Sequence, residues 1–116
     1  MTELELVWLA GLLEGEGFFG LKKYHYGVSA PCIQLRMTDL DVVEKAMHLM
    51  GLKTYYAEKK VQEGHKTAYT IIAKGTRAAE LMRLLHPHLG ERRRAKIDEV
   101  MAGIADGSVR ARGFIV

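Results

Sequence analysis

Apolar positions along the chain switch between helical and strand-like periods, and these switches predict eight elements. The first helix begins at Thr2, which has the spacing of a capping box with Glu5, and is expected to end at about residue 13 or 14. Gly15 and Gly17 follow at once, and glycine is the residue that most often ends a helix.

The remaining pattern predicts four strands and three further helices. Strands are expected at about 18–26, 32–37, 53–61 and 67–74, and helices at about 40–50, 76–85 and 91–104. Because consecutive strands joined by short turns pair antiparallel, the order indicates an α+β fold. One four-stranded antiparallel sheet would carry helices on one face and leave its other face open.

Alternation within the strands assigns polar and aromatic side chains to the open face. Lysine and arginine can neutralise phosphates, and arginine, lysine and glutamine can bond to purine edges in a DNA major groove. An ordinary solvated face is the alternative, and Glu58 argues against a purely electrostatic surface. The candidate residues are Lys22, Tyr24, Tyr26, Gln34, Arg36, Thr54, Tyr56, Glu58, Lys60, Lys66 and Thr70.

Composition narrows the class of protein. With 116 residues, of which 48% are hydrophobic, the chain is expected to form one domain over 1–116, in which 107–116 has no clear period and would be a flexible tail. A net charge of +3 is compatible with nucleic acid. A single cysteine excludes an intrachain disulfide. The longest apolar run has eight residues, too few to span a membrane, and the acidic start is unlike a signal peptide, so the cytoplasm is expected.

The segment Leu9–Gly17, LAGLLEGEG, combines features that are costly in a helix. Buried carboxylates need a partner or a metal, and a glycine inside a helix costs about 1 kcal/mol relative to alanine. The segment resembles the LAGLIDADG motif of homing endonucleases along its whole length, with Leu13 for isoleucine, Glu14 and Glu16 for aspartate, and Gly15 for alanine.

The flanking sequence is similar to the same family over roughly residues 4–100. Trp8 precedes the motif, and the order of predicted elements is that of the family core. The segment 86–89, HPHL, is followed by a basic cluster at 92–96, as in the family's C-terminal helices. Residues 37–43 resemble small phage-encoded members, so the likeness also implies an origin in an intron or a phage mobile element.

The resemblance implies a catalytic centre at the end of the first helix. Glu16 would be the metal-binding carboxylate and the carbonyl of Gly15 a further ligand, whereas Glu14 would project elsewhere and be structural. Mg²⁺ suits such oxygen ligands and can polarise a phosphodiester and activate water. Arg92 would be the basic residue near the scissile phosphate, with Arg93 or Arg94 as alternatives. The five histidines show no metal-ligand spacing.

The resemblance also implies a homodimer, because one motif supplies half of the family's central helix pair. Val7, Gly11 and Gly15 recur every four residues and form one stripe along the helix. Small residues on this stripe would let two helix backbones approach closely. Packing of the stripe within one chain is the alternative.

Three functions remain open at this point. The resemblance implies a site-specific, Mg²⁺-dependent endonuclease that cuts both strands of a long, near-palindromic DNA duplex. Met37 stands where the family usually has a polar residue, often glutamine, which favours a DNA-binding regulator or maturase-like protein without cleavage. A protein–protein adaptor is the third, and it would lack the steep salt dependence of DNA binding.

Overall fold

The structure is a computed structural model that describes residues 1–59, 64 and 66–116. Within these residues the chain forms four helices and four strands in the predicted α+β order. The helices are α1 (Glu3–Glu16), α2 (Leu40–Leu49), α3 (Gly75–Leu85) and α4 (Glu91–Asp106), and the strands are β1 (Gly17–Lys23), β2 (Ser29–Met37), β3 (Tyr56–Glu58) and β4 (Ala68–Lys74).

The strands form one antiparallel sheet in the order β1-β2-β4-β3. Ile33, Leu35 and Ile71 are fully buried on the face that the helices cover. The helices bury their own apolar residues against this face, among them Leu9, Leu13, Val43, Met47, Met82, Leu85, Ile97 and Val100. The predicted arrangement, with helices on one face of a four-stranded sheet, is therefore confirmed.

Helix α1 extends two residues beyond its predicted end. The capping box forms as expected, since the Thr2 side chain accepts from the Glu5 N–H and the Glu5 carboxylate accepts from the Thr2 N–H. Gly15 remains inside the helix, and Gly17 ends it by adopting an extended conformation while its N–H donates to the Leu13 carbonyl. A Cβ at Gly17 would lie 2.7 Å from that carbonyl oxygen, so this tight exit requires glycine.

The turn between β1 and β2 also differs from its predicted place. Residues 25–27 form a 3-10 turn that ends at Gly27, whose φ is +75°, so β1 ends at Lys23 rather than at residue 26. Strand β2 begins at Ser29 and includes Pro31, which was expected in the turn. Proline is tolerated there because it lies beyond Cys32, the last β2 residue that pairs with β4.

Three other boundaries shift. Strand β3 spans only Tyr56–Glu58, and residues 60 and 61 of the predicted strand lie outside the described residues. Strand β4 begins at Ala68. Helix α4 continues to Asp106 and ends at Gly107, whose φ of +86° gives the left-handed conformation that glycine adopts readily.

Residues 107–116 contact the domain although their sequence shows no period. Val109 is buried and forms a parallel bridge with Ser29, and the Arg110 N–H donates to the Ser29 carbonyl at 2.8 Å. A Cβ at Gly103 would lie 2.4 Å from the Val109 side chain, so the absence of a side chain on α4 makes room for this contact. In the described part of the chain, no helix combines the length and apolarity needed to cross a membrane.

Candidate nucleic-acid interface and metal site

One face of α1 has no partner among the described residues. Leu4 is 82% exposed and Val7 48% exposed. Cβ atoms built at Gly11 and Gly15 would meet nothing within 4 Å. The stripe formed by Val7, Gly11 and Gly15 therefore lies on the surface, and it does not pack against the other described residues, as the alternative required.

The opposite face of α1 belongs to the core. Leu9, Ala10 and Leu13 are buried against the sheet and the other helices. The helix thus presents apolar residues on two sides, one covered and one bare. Helices that are apolar around most of their circumference are typically buried on all sides.

The two carboxylates of the motif have different surroundings. The Glu14 carboxylate accepts a hydrogen bond from the Gly90 N–H and lies 3.6 Å from the Arg93 Nε. Glu16, the last residue of α1, is exposed and forms no ion pair with the described residues. Glu14 therefore joins the end of α1 to the start of α4, while Glu16 is free to bind a ligand.

The three arginines at the start of α4 also differ. The Arg93 side chain is only 13% exposed, donates to the Glu14 carbonyl at 3.2 Å and lies against the Phe19 ring. Arg94 donates to the Leu89 carbonyl at 2.7 Å. Arg92 is exposed, lines a hollow of about 370 Å³ beside Phe18, and has no hydrogen bond to the described residues. Arg92 is thus the arginine that remains available to a ligand.

The oxygen atoms at the end of α1 are suitable ligands for a hard cation, but they supply only part of its coordination. Glu16 offers a carboxylate, and Gly15 lies in the last helical turn, whose carbonyls have no partner within the helix. Mg²⁺ and Ca²⁺ prefer such oxygen ligands. The described residues contain no group of three histidines, cysteines or acids that could hold a metal. A single chain therefore supplies one carboxylate and needs further ligands from elsewhere.

The strand register brings most of the predicted DNA-contacting residues to the open face. Arg36 pairs with Thr70, and Thr70 pairs with Tyr56, so these three positions form one row across the sheet. The second row contains Gln34 opposite Phe18 and Ile72. Lys22, Gln34, Arg36, Tyr56, Glu58 and Thr70 share this face, opposite the buried positions of the same strands.

The other predicted contact residues lie at the margins. Tyr24 follows β1 and is partly exposed, and Thr54 and Lys66 are exposed in the segments before β3 and β4. Lys60 lies outside the described residues, and Tyr26 belongs to the 3-10 turn, with its side chain also outside what the structure describes.

An ion pair joins two of the open-face residues. An Arg36 Nη2 lies 2.8 Å from a Glu58 Oε2, and both side chains are exposed. Exposed pairs of this kind contribute at most about 1 kcal/mol. Arg36 can therefore exchange Glu58 for a base or a phosphate at small cost.

Sequence reasoning missed Phe18 and Lys74 on this face. Phe18 is 48% exposed, and its ring lies over Gly20, where a Cβ would be 2.6 Å from the ring. Lys74 pairs with Cys32 across the sheet. Counting every second residue back from Lys22 along β1 reaches Phe18, and counting forward from Thr70 along β4 reaches Lys74. The sequence pattern could therefore have identified both residues. Cys32 lies between Phe18 and Lys74 on the same face, and burial raises the pKa of its thiol.

Met37 lies on the other side of the sheet. It pairs with Tyr69 and packs against the core, two residues beyond Leu35, the partner of Gly17. Leu35 is fully buried, so the strand position directly opposite the end of the motif is also apolar. Neither side chain can order water by hydrogen bonding at this end of the sheet.

Comparison of the fold with solved structures gives a consistent result. The homing endonuclease I-CvuI in complex with its target, in the presence of Ca, superposes with a TM-score of 0.62 at 15% identity, covering 88% of this chain and 66% of that one. The group I intron-encoded homing endonuclease I-CeuI, complexed with DNA, gives 0.61 at 17% identity, with 90% and 57% covered. The chain thus spans about two thirds or less of these two proteins.

A third similar structure is also a LAGLIDADG homing endonuclease. The I-LtrWI LAGLIDADG homing endonuclease bound to target DNA gives a TM-score of 0.65 at 17% identity, covering 90% of this chain and 39% of that one. No protein-family model matches the sequence, and no curated protein does either. The likeness in three dimensions, together with the segment LAGLLEGEG at the end of α1, shows that this chain has the fold of the LAGLIDADG homing endonucleases.

Proposed function

We propose that the protein is a homing-type, site-specific endonuclease that cuts double-stranded DNA as a homodimer with a divalent metal. The observation that carries this proposal is the bare stripe of α1, which leads directly to the unpaired Glu16 beside an open, polar sheet face. No other surface among the described residues combines these three features.

The stripe supports a two-fold dimer. Val7, Gly11 and Gly15 are exposed without a partner among the residues that the structure describes, and Leu4 continues them towards the start of α1. Burying apolar surface contributes about 25 cal/mol per Å², and a self-complementary patch is what a two-fold dimer requires. Packing of two stripes would bring the two Glu16 residues to the same end of the helix pair.

Two Glu16 carboxylates that converge in the dimer would favour binding of a metal ion. Like charges placed close together need a cation between them or must share a proton. The Glu16 carboxylates and Gly15 carbonyls would hold Mg²⁺, which when bound polarises a phosphodiester and activates water. Arg92, exposed and without a hydrogen bond to the described residues, would contact the phosphate at the cleavage point.

The open face supports binding to a long duplex. Lys22, Gln34 and Arg36 offer hydrogen-bond donors on adjacent strands, and Tyr56 and Thr70 extend the row across the sheet. A two-stranded ribbon fits the DNA major groove, where side chains can read base edges. Two sheets related by a two-fold axis would contact a near-palindromic site. Tyr24, Tyr26, Glu58, Lys60 and Lys66 are further candidates for this contact.

A second candidate function is DNA binding without cleavage. Met37 and Leu35 leave the strand end near the motif without a polar side chain that could order water. A regulator or maturase-like protein of the same fold would keep the open face and the dimer but would not need this group.

The experiment that tests the proposal is DNA cleavage by Glu16→Gln beside the wild type, with Mg²⁺ present. Loss of a metal ligand removes several kcal/mol of transition-state stabilisation, so cutting should fall on the order of a thousandfold while binding is retained. Glu80→Gln, an exposed carboxylate on α3 in the helical layer, is the matched control and should cut normally. Binding without cutting by the wild type would favour the second candidate.

A further inference from the structure

We propose that residues 107–116 complete a second phosphate-binding site, at the end of the open face that lies far from Glu16. We name it the tail cradle, and it is the hollow of about 450 Å³ lined by Tyr24, His25, Ala30, Lys74, Arg110 and Arg112, among others. This inference rests on the proposed function, since its ligand is the backbone of the same DNA duplex.

The tail cradle is continuous with the predicted DNA surface. Ala30 pairs with Lys22, and Lys74 pairs with Cys32, so both lining residues belong to the open face. Strand β1 runs from the motif at Gly17 to Lys23, a rise of about 20 Å at 3.3 Å per residue. A duplex that follows the strands from the motif would reach the cradle about six base pairs away, at 3.4 Å per pair.

The charge of the tail cradle fits a polyanion. Lys74, Arg110 and Arg112 are cations, and no carboxylate is found among the described residues that line the hollow. Neither arginine side chain forms a hydrogen bond with the described residues, and both residues are exposed. Arg36, nearer the motif, is by contrast already paired with Glu58. Unpaired cations on a continuous surface favour the phosphates of the duplex over a neutral or mixed-charge partner.

The tail is held in place by contacts that do not use the charged groups of the cradle. Val109 is buried beside Gly103 and bridges to Ser29. The Thr76 hydroxyl donates to the Arg112 carbonyl at 2.7 Å, and the Arg83 guanidinium lies 4.1 Å from the centre of the Phe114 ring. Two arginines on an anchored segment lose less conformational entropy on binding than they would on a free tail.

The test measures how the dissociation constant for DNA depends on salt. The probe is a mixed-sequence duplex of about 24 base pairs, since phosphate contacts do not depend on sequence. The variant is Arg110→Gln with Arg112→Gln. Its matched control is Lys45→Gln with Arg77→Gln, which removes two exposed cations from the helices that cover the other face of the sheet.

The expected result is a smaller salt slope for the cradle variant alone. Each lost phosphate contact lowers the slope by about 0.9, so two arginines lower it by about 1.8 for each bound chain. A third variant, Thr76→Val, keeps every charge but removes the bond to the Arg112 carbonyl, and should lose part of the same slope. Thermal unfolding of each variant verifies that the fold persists.

The possible results separate this inference from the proposed function. Wild-type slopes in the cradle variant, or equal losses in the matched control, would overturn the tail cradle and leave DNA binding intact. A wild-type slope in Thr76→Val would contradict the anchoring of the tail. If the wild type shows no salt-dependent DNA binding, the proposed function and the tail cradle fail together.

Discussion

The two ends of the open sheet face differ in how far the chain itself completes them. At the motif end, α1 exposes Val7, Gly11 and Gly15, and the Glu16 carboxylate forms no ion pair with the described residues, so one chain would supply only part of the proposed metal site. At the tail end, the segment after Gly107 is anchored to the same chain by backbone and side-chain contacts. Under the proposed function, chemistry that needs two chains and binding that needs one chain would thus be separated along a single surface.

The motif end and the tail end of the open face also differ in the charges of their side chains. The motif end is of mixed charge, with Glu14 and Glu16 near Arg92 and Arg93, and farther along the sheet Glu58 pairs with Arg36. The tail cradle contains only cations and uncharged groups among its lining residues. Under the proposed function, the tail end would supply general attraction to DNA, whereas the motif end would supply the site of reaction.

The largest effect should come from filling the bare stripe. Gly11→Leu adds a side chain whose Cβ would meet none of the described residues within 4 Å but would lie between two packed helices. Each copy would add overpacking of about 1–3 kcal/mol, so the dimerisation constant should fall at least about thirtyfold, and cleavage with it. Sedimentation velocity measures the dimer, and DNA cleavage the activity.

The same substitution, Gly11→Leu, should have a different effect on the stability of the monomer. Leucine is a better helix former than glycine by about 0.8 kcal/mol, so Gly11→Leu should not lower the free energy of unfolding of the isolated chain. Gly11→Ala is the control, because a single methyl group at the stripe should weaken the dimer far less. An unchanged dimer in Gly11→Leu would show that the stripe is not the interface.

A smaller effect is expected inside the motif end. Glu14→Ala leaves the Gly90 N–H without its acceptor and the largely buried Arg93 guanidinium without its ion-pair partner, while the bond from Arg93 to the backbone carbonyl of residue 14 remains. The loss should lower the free energy of unfolding by about 2 kcal/mol. Urea denaturation measures this change. Glu80→Ala, on the exposed side of α3, should change it by less than about 0.5 kcal/mol. Equal effects of the two changes would contradict the structural role of Glu14.

The corresponding change at the tail end is Gly103→Ala. The new methyl group would collide with Val109, while alanine favours the helix by about 1 kcal/mol, so the two terms nearly offset in global stability. The tail should nevertheless detach, and amide exchange at the Arg110 N–H should accelerate relative to amides of the core strands. Unchanged exchange would mean that the tail tolerates the methyl group in place.

The smallest effect concerns the turn that starts the tail. Hydrogen bonds from Ser108 hold the pKa of the Asp106 carboxyl below its ordinary 3.8. A lowered pKa stabilises the folded state above the ordinary value and loses that contribution as the pH falls below it. Asp106→Asn should therefore reduce the acid sensitivity of Arg110 amide exchange below about pH 4. The same sensitivity in the variant would exclude Asp106 as its source.

The sequence predicts the features that have a local period or a fixed spacing. The capping box of Thr2 and Glu5, the alternation of Gln34 and Arg36 with buried positions, and the stripe of Gly11 and Gly15 all follow from positions a few residues apart. These features set the fold class, the open face and the bare side of α1.

The sequence does not predict features that depend on contacts between distant residues. Anchoring of the tail depends on Ser29, Thr76 and Arg83, which lie about 30–80 positions before the tail residues they contact and produce no periodic pattern. The ion pair of Arg93 with Glu14 likewise joins residues that are far apart in the sequence. The end of α1 at Glu16 depends on one close contact between Gly17 and Leu13.

The most direct test of the account is cleavage of a randomised duplex library with Mg²⁺, followed by sequencing of all new ends. Two chains that share one reaction site predict double-strand ends at one recurring motif with approximate two-fold symmetry, present in the wild type and absent in Glu16→Gln. New ends that persist in Glu16→Gln, or that recur at a motif without two-fold symmetry, would contradict the claim that two copies of Glu16 form the site.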